Sequence, residues 1–128
     1  MSFDWREYLD LARELAASGA GAPQAEARWR SAISRAYYAA YAECRAFIIE
    51  KMQYDPHDPV ARGRAHEAVV RKFERSPSLG RQRIGVQLRR LMAQRLVADY
   101  EATAVISGGL ASGAVERAET ILAALEVV

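Results

Sequence analysis

Cysteine is almost missing from this chain: Cys44 is the one thiol among 128 residues. It can close no internal disulfide, and its place in an apolar helical stretch suits a free thiol packed as a small hydrophobe, so a reducing compartment is expected. Histidine is nearly as scarce, with only His57 and His66. That leaves too few imidazoles for a histidine-rich metal centre, and a lone cysteine excludes a zinc knuckle. The expectation is no metal and no cofactor. Nowhere do about 18 apolar residues follow one another, as a membrane-crossing helix requires. The first residues, Met1-Ser2-Phe3-Asp4-Trp5-Arg6-Glu7, lack the basic start and apolar run of a signal peptide. A cytoplasmic protein without a membrane span is the expected class. Gly19 and Gly21 have no strand before them and no Gly-Lys-Ser/Thr after them, so they form no phosphate loop.

Apolar surface and arginine are what the chain has in quantity. Hydrophobic residues make up 51% and charged residues 27%, the balance of a globular domain, and the length suits one domain spanning 1–128. The net charge of +2 conceals an asymmetry. Residues 60–95 hold ten basic side chains, nine Arg and Lys72, against Glu67 and Glu74, so this segment carries +8 and the remainder −6. Such a stretch can attract phosphate or RNA. It can equally be a solvated or salt-bridged face in a chain that uses 16 Arg and 2 Lys.

Apolar residues recur at the three-and-four spacing of helices throughout, and nothing reads as a strand or a repeat. The expected fold is all-α: an antiparallel up-and-down bundle of four main helices plus one short one. Helix one covers about 4–18, with Trp5, Tyr8, Leu9, Ala12, Leu15 and Ala16 as its stripe and Asp4 before Glu7 as a start signal. Helix two, about 23–53, follows a Gly-rich turn ending in Pro23 and is rich in alanine, which favours helix and close packing on several sides. Two prolines, Pro56 and Pro59, break the chain before a short helix three over about 62–75, with His66, Val69, Val70 and Phe73 on one face. Helix four, about 81–106, buries Ile84, Leu88, Leu91 and Met92, and Gly108-Gly109 is expected to end it. Helix five, about 113–126, closes the bundle.

Continuing the apolar stripe of helix four brings Arg95 and Asp99 to its inner face, with Tyr100 beside them. Four apart, Arg95 and Asp99 can touch. They are either a structural clamp that keeps two near-core charges paired or the lining of a cleft in which the guanidinium binds phosphate and Asp99 orients it. Tyr37 and Tyr41 share one face of helix two, with Tyr38 turned about 100° away. Their phenols either sit at the edge of the core or serve a ligand by stacking and hydrogen bonding. Arg35 and Ser34 share that stretch and can join its polar edge. His66 completes the candidate set of Arg95, Asp99, Tyr100, Arg35, Tyr37, Tyr38, Tyr41 and His66. No catalytic residue is assigned.

Three stretches together resemble the HEPN family of small helical proteins, in its short stand-alone prokaryotic branch. They are Ser31-Ala32-Ile33-Ser34-Arg35-Ala36-Tyr37-Tyr38-Ala39-Ala40-Tyr41, Ala65-His66-Glu67-Ala68-Val69-Val70 and Arg95-Leu96-Val97-Ala98-Asp99-Tyr100-Glu101. Their order and spacing cover nearly the whole chain, and Ser-Arg-Ala-Tyr-Tyr-Ala is the most specific part. The resemblance implies a bundle that pairs into a homodimer with a cleft between subunits. It also implies a minimal nucleotidyltransferase as partner in a toxin-antitoxin pair, with RNA or nucleotide as ligand. In such pairs the HEPN protein is typically a metal-independent ribonuclease, silenced in some cases by adenylylation of a tyrosine, a role that would fall to Tyr100.

This chain departs from that pattern at the catalytic motif. Active relatives carry an Arg, four to six residues, then a His on the fourth main helix, and aligning the Asp-Tyr ends puts Ala93 and Ala98 in those places. Arg62 comes closest to His66, with three residues between them, on helix three. Metal-free RNA cleavage needs a group that takes a proton near neutral pH beside a cation on the phosphate. An ordinary aspartate, with a pKa of about 4, suits that poorly. Enzymatic activity is therefore left open. The leading expectation is a binding or regulatory HEPN protein acting through a cleft near helix four. A ribonuclease toxin with a non-standard site and a nucleotide-binding module are the alternatives.

Overall fold

Three-and-four apolar spacing becomes five helices in the computed structural model of the chain, which describes residues 2–58 and 63–128. They are α1 (Arg6–Ala16), α2 (Ala25–Lys51), α3 (Ala65–Glu74), α4 (Leu79–Tyr100) and α5 (Gly108–Leu125). The fold is all-α, an up-and-down bundle with α3 as its short member, and no strand occurs among the described residues. Pro59, Arg62 and the expected start of helix three lie outside the described residues.

The long α2 is the central pillar and touches each of the other four helices. Its alanines explain how it can. Ala32, Ala36, Ala39 and Ala40 are fully buried, and Ile33, Tyr37, Cys44, Phe47 and Ile48 fill the space between them. Val69, Val70 and Phe73 of α3, Ile84, Leu88 and Leu91 of α4, and Val115, Ala118, Ile121 and Leu122 of α5 complete one core. Burial pushes the Cys44 thiol well above its ordinary range, so it packs as a hydrophobe. Trp5, expected in the buried stripe of helix one, is instead 40% exposed and packs edge-on against Phe3 and Tyr8. No helix among the described residues is long and apolar enough to cross a membrane.

The helix ends differ from the sequence reading for local reasons. Trp5, rather than the expected Asp4, stands at the cap of α1; Asp4 lies one residue earlier, its carboxylate accepting from the Arg6 N–H and its carbonyl from the Glu7 N–H, each at 3.0 Å. Helix α2 begins at Ala25 because Gln24 adopts a left-handed conformation (φ 56°, ψ 38°) that completes the turn first. Ser78 caps α4, its hydroxyl accepting from the Arg81 N–H at 3.4 Å. That helix stops at Tyr100, short of 106, where the Arg30 guanidinium of α2 takes one carbonyl of its last turn and two of the segment that follows. Nη1 donates to Ala98 O at 3.0 Å and Glu101 O at 3.1 Å, and Nη2 donates to Ala104 O at 2.5 Å. Gly108-Gly109 opens α5 instead of ending α4. Ser107 caps it by accepting from Leu110 N–H at 3.2 Å, and the Trp29 indole lies 3.3 Å from where a Cβ on Gly108 would sit.

The two acids of the basic segment are both consumed by arginine. Arg89 forks between Glu67 (2.7 Å) and Glu74 (2.8 Å), tying α4 to α3, and Arg71 reaches Glu67 at 2.9 Å. Hydrogen bonds from Arg89 hold both carboxyls below the usual range.

Candidate functional site

Side chains from α2, α3 and α4 converge at the C-terminal end of α4, where Arg95 is half-buried but Asp99 and Tyr100, expected at the inner face, are exposed. The Arg95 side chain is 14% exposed and lies against three tyrosine rings, with its guanidinium carbon 5.0 Å from the Tyr38 centroid, 5.4 Å from Tyr100 and 5.8 Å from Tyr37. Nη2 donates to the Tyr38 hydroxyl at 2.7 Å and to the Tyr100 hydroxyl at 3.4 Å. Nε lies 2.8 Å from Asp99 Oδ2, but its N–H is not aimed at that oxygen, so the pair meets by charge at close range. Ser34 Oγ donates to the same carboxylate oxygen at 3.2 Å and fixes it against α2. Burial works against the Arg95 charge, yet Tyr38, Asp99 and Tyr100 more than offset it and hold the guanidinium above its ordinary range.

His66 enters the cluster from the first turn of α3. Its ring stacks on Tyr41 at 4.2 Å between centroids, 14° from parallel, and lies 5.7 Å from the Tyr37 ring. The Tyr37 hydroxyl is 2.5 Å from His66 Nδ1. Tyr37 is fully buried, and burial raises its phenol far above the ordinary value, so it keeps its proton. With His66 as its one hydrogen-bond partner, the phenol is satisfied by donating to Nδ1. A neutral imidazole that accepts at Nδ1 must carry its proton at Nε2. Burial first, and the Arg95 charge second, lower the His66 pKa below its ordinary value, which keeps that neutral form through pH 7.

The cluster is therefore rich in donors facing no protein acceptor. Among the described residues, Arg95 Nη1 and His66 Nε2 have no protein hydrogen-bond partner, while the Tyr38 hydroxyl accepts from Arg95 and has its own hydrogen to give. Such an arrangement suits an anion with several acceptor oxygens, such as phosphate. The described residues hold no group of three His, Cys, Asp or Glu side chains placed to bind a metal.

Of the eight residues chosen from the sequence, seven meet here. Arg35 does not: its guanidinium stacks on Tyr8 of α1 at 4.9 Å. Of the two positions aligned with the family's catalytic motif, Ala93 faces solvent and Ala98 is buried, its carbonyl held by Arg30. Arg30 was outside the sequence-derived set, and its only signal was one more arginine on α2.

The depressed His66 pKa has a pH consequence. Below about 6.5 the unfolded chain takes up the imidazole proton before the folded one does, so this contribution is full above that pH and is lost as pH falls through the folded value. Thermal unfolding of the wild type and of His66→Asn between pH 5 and 8 is expected to show a stability gap that narrows towards acid. A gap independent of pH would overturn the assignment.

No protein-family model matches the chain, and comparison with curated proteins and with solved structures likewise finds no match.

Proposed function

We propose that this chain is a HEPN-type binding or regulatory protein that holds the phosphate of an RNA or nucleotide at the cluster of Arg95, His66 and the tyrosines of α2. In this reading it acts in the cytoplasm as a homodimer and forms one half of a toxin-antitoxin pair with a minimal nucleotidyltransferase. The observation that carries the ligand class is the pair of unpartnered donors, Arg95 Nη1 and His66 Nε2, set among aromatic faces. Phosphate oxygens accept, and rings accommodate a base. The family, the dimer and the partner rest on the three sequence stretches alone.

A second reading, a metal-independent ribonuclease, is favoured by the neutral His66 standing in the same cluster as Arg95. It is opposed by the direction of the Tyr37 hydrogen bond. A general base needs a free lone pair on the nitrogen open to a substrate, and in the tautomer that satisfies the buried Tyr37 phenol, Nε2 carries the proton.

The two are separated by incubating the purified chain with a short single-stranded RNA and with AMP in the presence of a chelator. Binding without cleavage is expected, weakened roughly 30-fold by Arg95→Gln, on the scale of about 2 kcal/mol for a charge-assisted contact. Absence of binding at millimolar ligand would end the phosphate reading. Cleavage that Arg95→Gln and His66→Asn both remove would replace it with the nuclease.

A further inference from the structure

A concavity of about 950 Å³ shares no lining residue with the Arg95 cluster. It is framed by the end of α2 and the segment after it, by the outer side of α3, and by the start of α4. Among the described residues, six cations line it: Lys51, Arg64, Arg71, Lys72, Arg75 and Arg81. Asp58 and Glu67 are the acids among those residues, an excess of four positive charges. Glu67 is already committed to Arg89 and Arg71. Among the described residues, Lys51, Arg64, Lys72 and Arg75 form no ion pair. Arg81 donates through Nη2 to the Val128 carbonyl at 3.1 Å and lies over the Phe47 ring, while its Nε is buried without a hydrogen-bond partner.

Like charges gathered in one concavity repel one another, and among the described residues the side chains of Arg64, Lys72 and Arg75 make no hydrogen bond or ion pair that would hold them there. An anionic ligand relieves that repulsion. The cations come from three segments and converge on one hollow, where an extended nucleic-acid backbone would call for a track along a face. The volume is that of a small-molecule site, and Met52, Tyr54 and Pro77 in its wall leave room for an uncharged part of the ligand. We propose that this groove binds a compact polyphosphate group, borne by a nucleoside or free, at a site separate from the Arg95 cluster. A triphosphate, with about four negative charges near neutral pH, matches the excess.

Calorimetric titration of the full chain with sodium triphosphate and with ATP at fixed ionic strength tests this, using the wild type, Lys72→Gln/Arg75→Gln and Arg95→Gln. Triphosphate is expected to bind about tenfold more weakly to the double variant, and a binding event that the groove substitutions weaken is expected to persist in Arg95→Gln, whatever Arg95→Gln removes at the cluster. Tighter binding of ATP to Arg95→Gln assigns the nucleoside-borne form, and equal affinity assigns the polyphosphate group alone. Circular dichroism checks the fold of the double variant, with Lys51→Gln/Arg64→Gln as the substitute pair if it unfolds. No heat at millimolar triphosphate overturns the proposal, as does binding that Arg95→Gln removes and the groove variants spare. Preference for a single-stranded RNA that depends on Lys72 and Arg75 also overturns the compact ligand. Because the cluster is tested through Arg95 and the groove through Lys72 and Arg75, failure of one reading leaves the other standing.

Discussion

Arg30→Ala is expected to destabilise the protein by about 3 kcal/mol, a fall in Tm of roughly 10 °C for a domain of this size. The Arg30 side chain is only 18% exposed and serves three carbonyls at the end of α4, while its Nε lies 3.3 Å from Glu26. Truncating it strands Ala98 O, Glu101 O and Ala104 O, and leaves Glu26, which also accepts from the Ile106 N–H at 3.2 Å, without its cation. The last turn of α4 carries Asp99 and Tyr100, so on the proposed reading the same substitution is expected to weaken phosphate binding without altering Arg95 itself. Chemical and thermal denaturation measure the first effect. A loss below about 1 kcal/mol would mean that water replaces the guanidinium at little cost.

Gly85→Val is expected to cost about 3 kcal/mol or more, by prising α3 from α4. A Cβ at Gly85 would stand 2.8 Å from the Glu74 backbone nitrogen and 3.1 Å from Phe73 Cβ, and backbone cannot swing aside as a side-chain tip can. The displaced α3 carries His66, so its stacking on Tyr41 should loosen with it. Gly113→Ala supplies the control: it lies inside α5 with nothing within 4 Å of the added methyl, and helix propensity alone should stabilise by about 0.5–1 kcal/mol. Equal effects at the two glycines would contradict the close crossing at Gly85.

The core of α2 was readable because burial there follows the helical period, and Ile33, Ala36, Tyr37, Ala40, Cys44 and Ile48 are buried as their spacing implies. The ends of α4 and α5 were not, because they depend on partners remote in sequence. A glycine pair serves equally to stop or to start a helix, and at Gly108-Gly109 the Ser107 cap and the Trp29 ring decide it. In the candidate site, the Arg95–Asp99 pair was legible from its four-residue spacing. The bonds from Arg95 to Tyr38 and from Tyr37 to His66 cross 57 and 29 residues, and no local pattern announces them. Arg35 shows the converse: one residue from Ser34, it points about 100° round the helix and meets Tyr8 instead. The charge excess of residues 60–95 was plain in the sequence, but its division between the Arg89 bridge and the unpaired groove cations is set by packing.

Arg95 reaches its place with little freedom left, paired by charge with Asp99, bonded through Nη2 to Tyr38 and set against the Tyr38 and Tyr100 rings. A flexible arginine gives up rotamer entropy when it engages an anion, whereas here that loss belongs to folding. On the proposed reading, an arriving phosphate would meet a lock already cut to shape, and the heat of docking would report contact formation rather than the freezing of a side chain.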